Sequence, residues 1–359
     1  MDQCRVFSHP EPKSASVCLK PVFLPFAGCG RRCFFCAQHL QTGCGTKPLA
    51  AIYRELESWL IRAEESGHQP VELGFYAGTF TSLPDDWTDK FLNLATKFRR
   101  NGLVCGVRAS TRPDAALLTD LSSLAAKGLD LLELGIQSFN ESVLNALGRG
   151  YGLEQAELAC QAAVDAGLGL GLHLMPGSPA MDMNIFEQDL MTVMRIKPRF
   201  IRLHPCLVLS GTSLEQDFLN GRFKPWDLSC IVRILSSALL RLWKKEIKVV
   251  RMGLAAEPDL QLNIVAGPWH PCLGLLVRSQ ALHDLVRLEV ERFSQGEGPL
   301  HLRYPRRFCG EIWGHRGCLR PAYEKLALSQ ERVKPWNKDD FCLWRGDDAF
   351  AIEEIQANC

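Results

Sequence analysis

Six short apolar runs, each separated from the next by a stretch of helical periodicity, restrict this chain more than any other feature. The runs fall at 22–26, 71–76, 103–108, 131–136, 168–174 and 200–203. Between them, apolar residues recur at helical spacing over 49–66 (Leu49, Ile52, Tyr53, Leu56, Leu60), 86–100, 113–127, 140–147 with 153–166, and 184–196. Strands alternating with helices in this way build a parallel sheet with right-handed crossovers. The residues just after each strand are polar or glycine-rich, and the C-terminal rim of such a sheet is where barrel enzymes place their active sites. Six repeats rather than eight imply an open, partial (β/α)6 barrel of TIM-like α/β type. A doubly wound sheet with a site at its switch point predicts the same rim.

Directly after the first run comes Cys29-Gly30-Arg31-Arg32-Cys33-Phe34-Phe35-Cys36, three thiols spaced C-x3-C-x2-C. Three cysteines this close can hold three irons of a 4Fe-4S cube. Such cubes usually take four cysteines, so the fourth iron would stay open. An open iron can bind the amine and carboxylate of S-adenosylmethionine (SAM) and pass an electron into its sulfonium. A zinc site is the competing reading, because His39 completes C-x3-C-x2-C-x2-H and Cys44 is also near.

The loop resembles the signature of the radical SAM superfamily, including the aromatic Phe35 before the third cysteine, and the rim stretches extend the likeness. Tyr76-Ala77-Gly78-Thr79-Phe80 resembles the family's glycine motif, with Ala77 in place of the first glycine. Ser110 to Asp114, Glu133 to Ser138, Arg149-Gly150, His173 to Gly177, Arg202 to Val208, Gly211 to Leu214 and Gly221 to Trp226 resemble one branch. It holds the catalytic subunit of Elongator, which acts on wobble uridine in tRNA, and bacterial relatives. The likeness covers about residues 21 to 230. It implies a cluster on Cys29, Cys33 and Cys36, and SAM contacts from Gly78, Thr79, Ser110, Arg112, Gln137, Arg149 and Met175. Gly78 would receive the SAM amine on bare backbone, and Arg149 would pair with its carboxylate. From the residues alone, Arg149 could be an exposed arginine, Arg112 a salt-bridge partner, Met175 core packing and Glu133 a buried, paired carboxylate. His173 and His204 end the fifth and sixth strands, facing a substrate or held structurally. No acid–base pair has diagnostic spacing, and no catalytic residue is assigned beyond the cluster, as befits chemistry carried by a cofactor.

Composition decides less. Lys and Arg number 41 against 40 Asp and Glu, so no global field draws the chain to nucleic acid or membrane. No run approaches the roughly 20 apolar residues of a membrane span. Fifteen cysteines without an apolar export segment read as reduced thiols in a reducing compartment, the cytoplasm. A polar leader is expected over 1–20, the barrel over 21–250, with 247–251 as a late edge strand, and a smaller C-terminal α/β extension or cap over 251–359. Within that extension Arg303, Arg306, Arg307, Arg316 and Arg320 interleave with Tyr304, Phe308, Trp313 and Tyr323. That pattern suits phosphate contact and base stacking by tRNA, or is a solvated basic face. Cys309 and Cys318 raise a second metal site. No glycine-rich acetyl-CoA loop follows residue 223. The expectation is a radical SAM enzyme using a 4Fe-4S cluster, SAM and an electron donor such as a flavodoxin or ferredoxin, with an RNA base as candidate substrate. Gln137-Ser138-Phe139 also resembles oxygen-independent coproporphyrinogen oxidase, which would make the substrate a small molecule such as a tetrapyrrole. A catalytically silent iron–sulfur protein that binds RNA is the alternative of another class.

Overall fold

The computed structural model describes residues 4–13, 17–293 and 297–346. The chain divides into two compact units. The larger takes in Lys13–Ile231 and Ile247–Pro271; the smaller takes in Met1–Pro12, Val232–Glu246 and Cys272–Cys359. Residues 251–271 therefore fall with the larger unit, and the start of the chain with the smaller.

One sheet organises the larger unit. Its strands are β1 (Cys18–Ala27), β2 (Val71–Gly78), β3 (Val104–Thr111), β4 (Leu131–Gln137), β5 (Gly169–Leu174), β6 (Phe200–Leu203) and β7 (Lys248–Met252). They pair in that order, each parallel to the last. β1 and β7 do not pair, so the sheet is an open partial barrel, with β7 as the late edge strand. Helices Leu49–Glu65, Trp87–Arg100, Leu153–Asp165 and Met183–Ile196 lie in the crossovers. The first buries Ile52, Leu56 and Leu60 one turn apart, the stripe a crossover helix needs. Leu73, Phe75, Leu132, Leu134, Leu170 and Leu172 are buried in the strands, which read as apolar runs because the sheet is covered.

The helix expected over 113–127 is two, Pro113–Leu117 and Leu121–Ala126. The Thr119 hydroxyl donates back to the carbonyl of Ala115 at 2.9 Å, and the Asp120 carboxylate accepts from Ser123 N at 3.0 Å. Asp120 is thus an N-cap in mid-run, and it restarts the helix.

Ala77, the last residue but one of β2, has φ +61°, in the left-handed region. An L-residue with a Cβ pays about 1–2 kcal/mol there, and glycine's extra unfolded-state entropy offsets roughly 0.5–1 kcal/mol of what its substitution would relieve. Ala77→Gly is expected to stabilise the protein by up to about 1 kcal/mol. The check is a rise in the urea midpoint at constant m-value.

The smaller unit holds a four-stranded sheet ordered Cys4–Phe7, Phe341–Arg345, Leu300–Pro305, Val333–Trp336. The expected polar leader is corrected here: Cys4–Phe7 is a strand antiparallel to Phe341–Arg345, and no local pattern announces a partner so distant in sequence. A second correction concerns the aromatics proposed for base stacking. Tyr304, Phe308 and Tyr323 lie in the unit's core with Leu282 and Val286 of helix Leu273–Arg292, and Trp313 packs against them. They are core because the helix needs an apolar partner, while Arg306, Arg307, Arg316 and Arg320 stay exposed. The exposed arginines can meet phosphate, but three of the four rings are buried and Trp313 is half-buried.

Candidate active site

The cysteine loop is shaped by backbone contacts at its two ends. Phe26 and Gly28 have φ of +62° and +72°. A Cβ on Gly28 would stand 2.3 Å from the carbonyl oxygen of Thr79, so only glycine lets the loop cross the end of β2. Cys29 N donates to the Phe26 carbonyl at 3.1 Å, and Cys36 N to the Cys33 carbonyl at 3.1 Å. Between them Phe34 N donates to the carbonyl of Leu147 (3.1 Å), while its own carbonyl accepts from Leu214 N (2.8 Å). The loop is therefore tied to three other parts of the chain.

The thiols meet different partners. Cys29 Sγ lies 3.2 Å from Thr79 Oγ1. Cys33 Sγ accepts from Arg149 Nη1 at 3.0 Å and Arg112 Nη1 at 3.3 Å. Burial, then the neighbouring Cys33 and Cys29, push the Cys36 thiol up to about 12. A thiol held up in this way becomes a thiolate readily only when a metal supplies the positive charge.

All three cysteines line one cavity of about 440 Å³. Every SAM contact expected from the sequence lines it too: Gly78 and Thr79 after β2, Ser110 and Arg112 at β3, Gln137 at β4, Met175 after β5, and Arg149. Arg149 is no exposed arginine: it is buried, and Tyr151 OH accepts from its Nε at 3.0 Å. The Asp114 carboxylate holds Arg112 at 3.0 and 2.9 Å. Gly78 has a reason of its own, since a Cβ there would meet the Leu24 and Ala27 carbonyl oxygens of β1 at 2.6 and 2.7 Å. Close approach of two strands demands the glycine, whatever binds above it. Phe26, Ala77 and Gln137, all at the rim, have positive φ, backbone strain of the kind that gathers at functional sites.

His39 and Cys44 do not line the cavity, and His39 packs on the Phe26 ring with centroids 6.1 Å apart. Among the described residues no three His, Cys, Asp or Glu gather to hold a single ion, at this loop or at Cys309 and Cys318. Tetrahedral zinc needs sulfurs within about 4 Å of one another. Three thiols on one cavity are a soft donor set of the kind that iron–sulfur clusters and zinc select.

A second set of polar side chains lines the same cavity from the strand interiors. Glu133 is buried, and its Oε2 accepts from Arg202 Nε at 2.7 Å. Tyr76 OH donates to Glu133 Oε1 at 3.0 Å, and Arg202 Nη2 to Tyr76 OH at 3.1 Å. His173, Arg202 and Arg251 are register neighbours across β5, β6 and β7. The His173 and His204 rings meet edge to face at 4.4 Å. Burial, then Arg202 and Arg149, lower His173 to about 3; burial, His173 and nearby arginines lower His204 as well, so both are neutral at pH 7. Tyr76, Arg202 and Arg251 were given no role from the sequence. Their signal was a polar residue inside an otherwise apolar strand.

Behind the rim, Asp189 of helix Met183–Ile196 accepts from Ser138 Oγ at 2.8 Å and Phe139 N at 2.7 Å, fixing the turn after Gln137. Burial outweighs these two donors and pushes its carboxyl up to about 6. The folded protein then keeps a proton that the unfolded chain gives up near pH 4. Stability is expected to fall as pH rises from about 4 to about 6, by on the order of 3 kcal/mol, and to level off above. Asp189→Asn should flatten that slope, read from urea unfolding at each pH.

A model of the radical SAM superfamily matches residues 23–190, and one of the radical SAM C-terminal domain matches 198–282. The chain is 31% identical over 228 residues to a tRNA uridine(34) acetyltransferase of Methanocaldococcus infernus, covering 55% of this chain and 42% of that protein. It is 29% identical over 226 residues to Elongator complex protein 3 of Danio rerio, covering 55% and 41%. The chain thus matches less than half the length of these curated relatives. Among solved structures, an N-terminally truncated Elp3 of Methanocaldococcus infernus superposes with a TM-score of 0.56 at 20% identity, over 78% of this chain and 64% of that one.

Proposed function

The chain belongs to the radical SAM superfamily, and from that premise we propose that it binds a 4Fe-4S cluster through Cys29, Cys33 and Cys36 and SAM beside it. The observation that carries the reading is a single cavity lined both by the three thiols and by every rim residue expected to meet SAM. Held by Cys29, Cys33 and Cys36, a cluster would supply the low-potential electron for reductive cleavage of SAM, and with it hydrogen-abstraction chemistry. The chain's own residues orient and enclose. Thr79 holds Cys29 through its hydroxyl, Ser110 and Gln137 offer polar groups to the ribose and methionine portions, and Met175 supplies an apolar wall. Tyr76, Glu133, Arg202 and the two neutral histidines line the cavity where a substrate would present its own polar groups.

For the substrate we infer an RNA base, a tRNA uridine foremost, because the relatives matched over this region carry tRNA uridine and Elongator names. The exposed arginines 306, 307, 316 and 320 are suited to phosphate. Acetyl transfer is not carried over, since more than half of those relatives lies outside the match. The reading implies a low-potential donor such as a flavodoxin or ferredoxin and a reducing compartment, the cytoplasm; among the described residues no helix is long and apolar enough to cross a membrane.

Anaerobic reconstitution tests the proposal. About four irons and four sulfides per chain are expected, with 5′-deoxyadenosine formed on adding SAM and a strong reductant. Added tRNA should raise its yield. Zinc in place of iron, or a cluster that never cleaves SAM, would sink the enzyme reading. A yield indifferent to tRNA would sink the RNA substrate alone.

A further inference from the structure

The three thiols differ in one respect that the SAM reading leaves unused. Two guanidinium groups converge on one sulfur: Arg149 Nη1 at 3.0 Å and Arg112 Nη1 at 3.3 Å both donate to Cys33 Sγ. Neither side chain is free to wander. Arg149 also donates through Nη2 to the Gly135 carbonyl and through Nε to Tyr151 OH at 3.0 Å, and Tyr151 OH is itself held by the Gly135 and Ile136 carbonyls at 2.9 and 3.0 Å. Arg112 is gripped by both oxygens of Asp114 and donates through Nη2 to the carbonyl of Arg149 at 2.5 Å, which links the two arginines directly. Arg149 and Arg112 are only 4% and 7% exposed, so little water screens their charge at the sulfur.

We propose that Arg149 and Arg112 are positioning residues for the Cys33 thiolate that raise the reduction potential of the cluster. The inference rests on the reading that Cys29, Cys33 and Cys36 hold a cluster. Hydrogen bonds to a ligating sulfur and nearby positive charge draw electron density from it and favour the reduced state. Charge-assisted donors do so more strongly than neutral ones. The hydroxyl of Thr79 at Cys29 is the weaker, neutral counterpart.

The experiment is an EPR-monitored redox titration of the full chain, reconstituted without oxygen and with SAM omitted, alongside equilibrium dialysis of SAM. Arg149→Gln and Arg112→Gln are each expected to move the midpoint potential to more negative values. Arg149→Lys, which keeps the charge and loses the fork, should recover part of the shift. Should Arg149→Gln take up no cluster, Arg112→Gln and Arg149→Lys carry the test. Loaded variants with an unshifted potential and SAM binding weakened about tenfold or more, the loss of a charged hydrogen bond, overturn the inference and leave SAM binding as the role of the arginines. Unshifted potential with unchanged SAM binding overturns it as well. A wild-type protein that takes up no iron–sulfur cluster overturns the proposed function first, and this inference with it.

Discussion

Cys33→Ala is expected to cost the protein its cluster and its 5′-deoxyadenosine together, from about four irons per chain to at most a small residue, with SAM cleavage at background. Two thiols cannot hold three corners of a cube, and among the described residues no fourth cysteine lines the cavity to replace the lost one. Cys33 is also the thiol on which two buried arginines converge, so alanine would leave two Nη1 donors facing a gap. A buried donor without an acceptor costs about 1–3 kcal/mol, more when charged. Part of the alanine effect would therefore be structural. Cys33→Ser separates the two: its oxygen can accept from the guanidiniums, yet it lacks the soft thiolate that iron–sulfur chemistry selects. Iron and deoxyadenosine should be lost in Cys33→Ser with little loss of stability. Cys44→Ala and His39→Ala, outside the cavity, should keep both. Loss of metal in His39→Ala instead would revive a tetrahedral C-x3-C-x2-C-x2-H site.

The sheet was legible because its signals are local. Each apolar run from 22–26 to 200–203 became a strand, and the rim residues followed because parallel strands bring their C-terminal ends together whatever lies between. Ser110, Gln137 and Met175 reach one cavity for that reason alone. What the sequence hid was of two kinds. Pairings across hundreds of residues have no local period, so Cys4–Phe7 passed for leader while it pairs with Phe341–Arg345. Direction was the other. The aromatics between the arginines of 301–323 turn inward to Leu282 and Val286, and Arg149 turns inward to Cys33, although composition alone fits an outward face for both. Gly78 adds a subtler case: the glycine was foreseen, but the neighbour it spares is the β1 backbone.

Glu133→Ala is expected to destabilise the protein by about 3–5 kcal/mol, because it strands largely buried positive charge rather than merely removing a contact. Arg202 donates to Glu133 at 2.7 Å, and Arg108 Nη1 stands 3.7 Å from its other oxygen. Burial opposes the charge on Arg202, yet Glu133 and Tyr76 together raise its affinity for the proton above the ordinary value. With Glu133 gone, Arg202 would lose its carboxylate partner and Arg108 would keep only Glu72, while burial and then Arg202 already disfavour the charge on Arg108 and Arg251. Glu133→Gln should cost less, because an amide oxygen can still accept from Arg202 and Tyr76. The double change Glu133→Leu/Arg202→Leu should recover much of the loss, since removing both charges leaves none uncompensated. Urea unfolding of the two single variants and the double gives the coupling directly. A Glu133→Ala cost below about 1 kcal/mol would place the pair among solvent-screened bridges, with cavity water doing the carboxylate's work. In that case the polar set on β2, β4 and β6 would be held for a substrate rather than for the fold, and deoxyadenosine yield in Glu133→Gln would be the next quantity to read.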